Sequence, residues 1–173
     1  MEKLLEKLTS YNIFNYLLPG IIFSILLEKI TAYTIIQKDI IIEAFLAYFI
    51  GLIISRISSL VVEPILKKIK FVKFSDYKDF VLASNNDSKI ELLSESNNMY
   101  RVFISLFLIL IVISIYEKMI VLKFPILSEY TTYLIVVVLF IIFLFSYRKQ
   151  TNYITQRIEI YKNKQITQGT ANE

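Results

Sequence analysis

A chain of 173 residues has room for one ordinary soluble domain. Yet 55% of it is hydrophobic, its mean hydropathy is +0.57 and it holds only 3 glycines, a composition that implies a solvent partly of lipid. Cysteine, histidine and tryptophan are absent, so a disulfide scaffold is excluded and the common zinc, haem and iron–sulfur sites lack their ligands.

Catalysis loses its histidine base and cysteine nucleophile by the same absence. Gly20, Gly51 and Gly169 stand too far apart for a glycine-rich phosphate loop. The expectation is a non-enzyme with no cofactor and no metal.

A membrane-crossing helix needs about 20 mostly apolar residues to pass about 30 Å of hydrocarbon, and four stretches qualify. The first, residues 8–27, carries no charge. It is longer than a signal-peptide core and no small-residue cleavage pattern follows, so it reads as a retained anchor. Within it, "NYLLPG" places Pro19 where it frees the carbonyl of Asn15, while Asn12 and Asn15 need partners. A packed kink and a gating hinge are both open there.

The second stretch, residues 40–62, is interrupted by Glu43 and Arg56. Glu43 lies near one end and reads as a carboxylate reaching to the surface. "GLIISRISSLVVEP" puts Leu52, Arg56, Ser59 and Glu63 on one face of a straight helix, so Arg56 and Glu63 are expected to share a polar network with Ser59 between them. Beside it, Gly51 and Ser55 form a small-xxx-small pair for close helix approach. Pro64 removes a backbone donor and is expected to bend the exit. This face either joins helices or lines the mouth of a pathway and touches a ligand.

Residues 67–100 are polar but helical in pattern. Ser75 is expected to cap "DYKDFVLA", and Asn86 or Asp87 to cap "SKIELLSESNNMYRVF". Ile90, Leu93, Asn97, Tyr100 and Ile104 fall at helical spacing, so the second of these helices should run unbroken into the third apolar stretch, about 100–121. The fourth, about 130–147, should continue as a helix along a seam of Tyr147, Thr151, Ile154, Ile158 and Tyr161. Paired stalks are then expected below the bundle, with the helix from Ser75 beside them and a disordered tail over residues 165–173.

Three parts result: residues 1–66 with the first two spans, a helical segment over 67–100, and residues 101–164 with the last two spans and the terminal helix. The fold class is all-α, an integral membrane four-helix bundle with small cytoplasmic helical extensions. With four spans, both termini and residues 67–100 share a side. Lys and Arg divide fourteen to four in favour of that side, with Arg56 set apart within its span, so it is assigned to the cytoplasm.

Two stretches at that side combine amide, aromatic and guanidinium groups: "SESNNMYR", with Asn97, Asn98, Tyr100 and Arg101, and "YRKQTNYITQR", with Arg148, Lys149, Asn152, Tyr153 and Arg157. Either they form an ordinary basic belt, or they bind a phosphorylated or nucleotide-like ligand. The candidate binding or gating residues are Arg56, Ser59, Glu63, Asn97, Asn98, Arg101, Arg148 and Arg157, and the candidate packing residues are Pro19, Gly51 and Ser55.

"NYLLPG", "SRISSLVVEPILKK", "DSKIELLSESNNMYR" and "YRKQTNYITQR" together resemble small four-helix membrane proteins encoded in bacterial anti-phage islands, those of the Hailong type in particular. The resemblance implies an oligomeric, pore-like effector of the inner membrane. Such an effector answers a nucleotide or short oligonucleotide from a partner enzyme and depolarises the cell. Besides that channel reading, a non-conducting scaffold subunit with a cytoplasmic protein partner and a small dimeric transporter remain as alternatives.

Overall fold

The computed structural model describes residues 10–121, 123 and 126–170, and every regular element among them is helical. Four helices are long and apolar enough to cross a membrane: Ile13–Ile30, Ile40–Lys68, Ser88–Met119 and Glu129–Asn163. We label the α-helical elements α1 (Leu18–Ile30), α2 (Ile40–Ile57), α3 (Glu63–Lys68), α4 (Tyr77–Asn86), α5 (Ser88–Ile115) and α6 (Ile126–Thr170).

The two helix-borne prolines are accommodated alike. Instead of kinking freely at Pro19, the chain takes a π-helical turn over Ile13–Leu17, in which Leu18 N donates to Ile13 O, five residues back. Before Pro64 the same happens over Ser58–Val62, with Glu63 N donating to Ser58 O. A widened turn gives the proline ring room that a regular α-turn denies it.

Asp39 starts α2 by accepting from Ile41 N at 2.8 Å and Ile42 N at 3.1 Å. Of the two expected caps for α5, Asp87 is the one used, accepting from Lys89 N at 2.9 Å. At α4 the N-cap is Asp76 rather than Ser75, in extended conformation and with no side-chain cap bond. α3 ends in a Schellman turn, with Phe71 N bonded to Leu66 O and Lys70 N to Lys67 O, both at 3.0 Å, and Lys70 in the left-handed region at φ 60°.

The first two apolar helices run antiparallel and touch backbone to backbone. A Cβ on Gly20 would strike the carbonyl of Ala47, and one on Gly51 would strike the carbonyl of Tyr16. Gly51 therefore packs as expected, but its counterpart is Gly20 across the interface; Ser55 is only half-buried. Pro19 is buried at this contact. α5 completes the core, where Phe23, Leu27, Ile54, Val102, Leu106 and Leu110 cluster.

α6 is different. Within its apolar stretch Ile142 and Ser146 are the buried residues among those described, and Phe143 stacks on Phe49 of α2 at 6.3 Å. The structure is a packed trio with a fourth helix leaning on it.

As expected, α5 is continuous from Ser88 to Ile115 and α6 runs on past the apolar stretch. Two expectations below the bundle are corrected. The stalks do not close on each other along their apolar seams: Leu93, Tyr100, Tyr147, Ile154, Ile158 and Tyr161 are all exposed. The short helix α4 does lie beside both stalks as expected, burying Val81 and setting Tyr77 against Tyr153 of α6 at 5.1 Å. Nor does helix end at Lys164: α6 reaches Thr170, since nothing before Gly169 interrupts propagation, and 171–173 lie outside the described residues.

Candidate functional site at the Glu63 junction

The π-turn before Pro64 decides what Glu63 meets. One extra residue in a turn rotates everything after it by about 100° relative to a straight α-helix. The straight stripe from Arg56 to Glu63 is thereby broken. Glu63 turns towards α5 and α6 and is only 7% exposed.

Three cations converge on this carboxylate. Lys67, one turn on in α3, reaches Oε1 at 2.8 Å. Arg101 of α5 pairs with Oε2 through a guanidinium nitrogen, and Lys149 of α6 stands 3.8 Å from Oε1. Serines of the π-turn extend the network. Arg101 Nε donates to Ser58 Oγ at 3.3 Å, and Ser58 Oγ donates to Ser55 O at 2.8 Å. Lys149 Nζ donates to Ser59 O at 2.7 Å and Ser59 Oγ at 2.8 Å.

Aromatic rings border the junction. Lys149 Nζ lies 5.8 Å from the Tyr153 ring and Lys67 Nζ 4.2 Å from that of Phe74. A nearly buried carboxylate without partners would be costly, and a full set of charge-assisted bonds offsets that cost. The ties join residues of α2's π-turn, α3, α5 and α6, so the junction is where the leaning helix is fastened to the trio.

Of the residues singled out in the sequence, Ser59, Glu63 and Arg101 meet here. Arg56 is half-buried and has no Glu63 oxygen within ion-pairing distance among the described residues. Asn97, Arg148 and Arg157 point outward and Asn98 is half-buried; none of the four makes a side-chain bond among the described residues. Lys149 was named within its basic stretch but not among the candidate binding residues, and Ser58 was not singled out at all. Lys149 is adjacent to Arg148 in an unbroken helix, and only the rotational phase of α6 separates them. Ile142, Ser146, Lys149 and Tyr153, spaced 4, 7 and 11 from the first, are the signal that identifies that phase.

Asn15, at the other π-turn, is 2% exposed. Its amide donates to Tyr11 O at 3.2 Å, while its Oδ1 has no partner among the described residues. Glu43 sits at the opposite end of α2 and accepts from Gln37 N at 2.7 Å, a local loop bond.

No family model, curated protein or solved structure matches the chain.

Proposed function

We propose that this chain is a multi-pass protein of the bacterial inner membrane, with both termini cytoplasmic, that assembles into a signal-gated channel or pore-like effector and disrupts the membrane potential in anti-phage defence. The Glu63 junction is its latch. The observation that carries the reading is the sharing of one nearly buried carboxylate by Arg101, Lys149 and Lys67. The same junction that fastens the fourth helix also holds an excess of positive charge, increased by nearby Arg56.

An anion with several oxygens, such as the phosphates of a nucleotide or short oligonucleotide made by a partner enzyme, competes with Glu63 for these cations. It shifts the helices to the extent that it binds the released arrangement better. The resemblance of the four quoted stretches to anti-phage effectors points the same way. Assembly into a homo-oligomer is supported by the seams of Leu93 and Tyr100 and of Ile154, Ile158 and Tyr161. They are apolar, exposed and set among the polar residues beyond the apolar stretches.

Glu63→Gln keeps the shape of the side chain and removes the charge the cations share. Expressed at matched membrane abundance, it is expected to arrest growth and to raise ion conductance in liposomes without any added signal, whereas wild type is silent until triggered. Wild-type and variant protein that both fail to conduct, while a soluble protein co-purifies through residues 67–100, would replace the channel reading with a scaffold.

A further inference from the structure

At the end of the bundle opposite Glu63, an apolar cleft opens sideways between α1 and α5. It has a volume of about 380 Å³ and is lined by Leu26, Ile30, Phe107, Leu110 and Ile111, with Ser114 near its rim. Directly above it, sharing Ile30, a second hollow of about 370 Å³ is framed by Lys29, Thr31, Ala32, Glu117 and Lys118. Glu117 is already engaged, its Oε1 accepting from Ala32 N at 2.7 Å. Neither Lys29 nor Lys118 has a carboxylate oxygen within 4 Å among the described residues.

We infer that this pair of hollows is a binding site for an anionic phospholipid, with one acyl chain in the cleft and the headgroup phosphate between Lys29 and Lys118. The argument is one of matched chemistry. The lower hollow is walled by aliphatic and aromatic side chains and falls in the size range of small-ligand sites, about 300–1,000 Å³. The upper one presents two cations, neither in an ion pair among the described residues, beside one carboxylate, that of Glu117, and the end of the bundle that holds it carries only Lys29, Lys38, Lys118 and Lys123 as basic residues. Half of its cations therefore gather at the lip of this apolar cleft. A soluble anion has no use for the lower hollow, and a zwitterionic lipid brings its own cation beside the phosphate and so matches the lysines less well than an anionic one. The inference rests on the membrane placement proposed above but not on channel activity.

The chain has no tryptophan, so a single introduced indole reports its surroundings. Phe107→Trp, at a position 51% exposed, places the reporter in the cleft, and Val136→Trp, at 61%, places a control on the outward face of α6. Each full-length protein is reconstituted in vesicles of equal phosphatidylglycerol and phosphatidylcholine, with bromine on the acyl chains of one lipid or the other. Brominated phosphatidylglycerol is expected to quench the cleft reporter more strongly than brominated phosphatidylcholine, with no such difference for the control. In the Phe107→Trp background, Lys29→Gln and Lys118→Gln should each lower that preference roughly fivefold.

Equal quenching of the cleft reporter by the two lipids overturns the site, as does a preference that survives both lysine substitutions together. If inorganic phosphate at matched ionic strength abolishes the preference, the lysines hold a free anion and the lipid assignment fails. Absence of quenching of the α6 control by either lipid would instead overturn membrane placement itself.

Discussion

The packed trio and the leaning fourth helix are held by opposite means. α1 and α2 meet through their backbones at Gly20 and Gly51, with no side chain between, and α5 seals a core of large aliphatic and aromatic groups over them. α6 touches this unit through Ile142, Ser146 and Phe143 and is tied to it by Lys149 at the Glu63 junction. Backbone contact is fixed by shape and has no substitute. An ion pair with surplus cations does have one, because any suitable anion can take over part of it. One region of the molecule is therefore committed to a single arrangement and the other is exchangeable.

The sharpest way to break this contrast is at the fixed region. Gly51→Leu places a side chain where the Tyr16 carbonyl stands, so the first two helices must separate. The expected loss is about 3 kcal/mol or more, at the upper end of overpacking costs, seen as a collapse of thermal stability in detergent for the whole protein. Stability unchanged by Gly51→Leu would mean that the trio is not the rigid unit described.

A smaller and more local effect is expected at the exchangeable region. The chain has no cysteine, so Phe49→Cys with Phe143→Cys gives a clean cross-link between α2 and α6. Adding Glu63→Gln leaves Arg101, Lys67 and Lys149 facing one another without a counter-charge. With all three cations at least partly exposed, the cost is about 2 kcal/mol. Cross-linking yield should drop severalfold while the melting of the trio moves little, and an unchanged yield would remove the junction's role as a fastening.

The smallest effect belongs to the apolar part of the same contact. In detergent, an apolar tail replaces a lost apolar neighbour, so Phe143→Ala should weaken docking of α6 by less than about 1 kcal/mol. If Phe143→Ala outweighs Glu63→Gln in a detergent unfolding series, the fourth helix is held by packing after all.

The long apolar helices and the cap at Asp87 were legible in the sequence because length, hydropathy and capping chemistry are local properties. Glu63, Ser59 and Arg101 were legible as unusual polar groups near an apolar boundary. Their partnership was not, because it depends on the π-turn at Ser58–Val62, which shifts Glu63 off the Arg56 face. A proline marks where a turn must widen or bend and does not say which. Lys149 stood in its basic stretch without being told apart from Arg148 for a related reason: docking chose it over Arg148 by rotating α6. The stalk seams of Tyr100 and Ile154 carried a true helical period, but period alone does not name the partner: both seam residues are exposed, and only the placement of α4 beside the stalks was read correctly.

The unbroken course of α6 through Lys149 to Thr170 makes it a lever with its fulcrum at the junction. At 1.5 Å per residue, the arm beyond Lys149 is about 30 Å long. A tilt of about 10° there carries its far end through about 5 Å, the rise of one helical turn. Any sub-ångström rearrangement among the Glu63 cations that tilted α6 would be magnified at a distance.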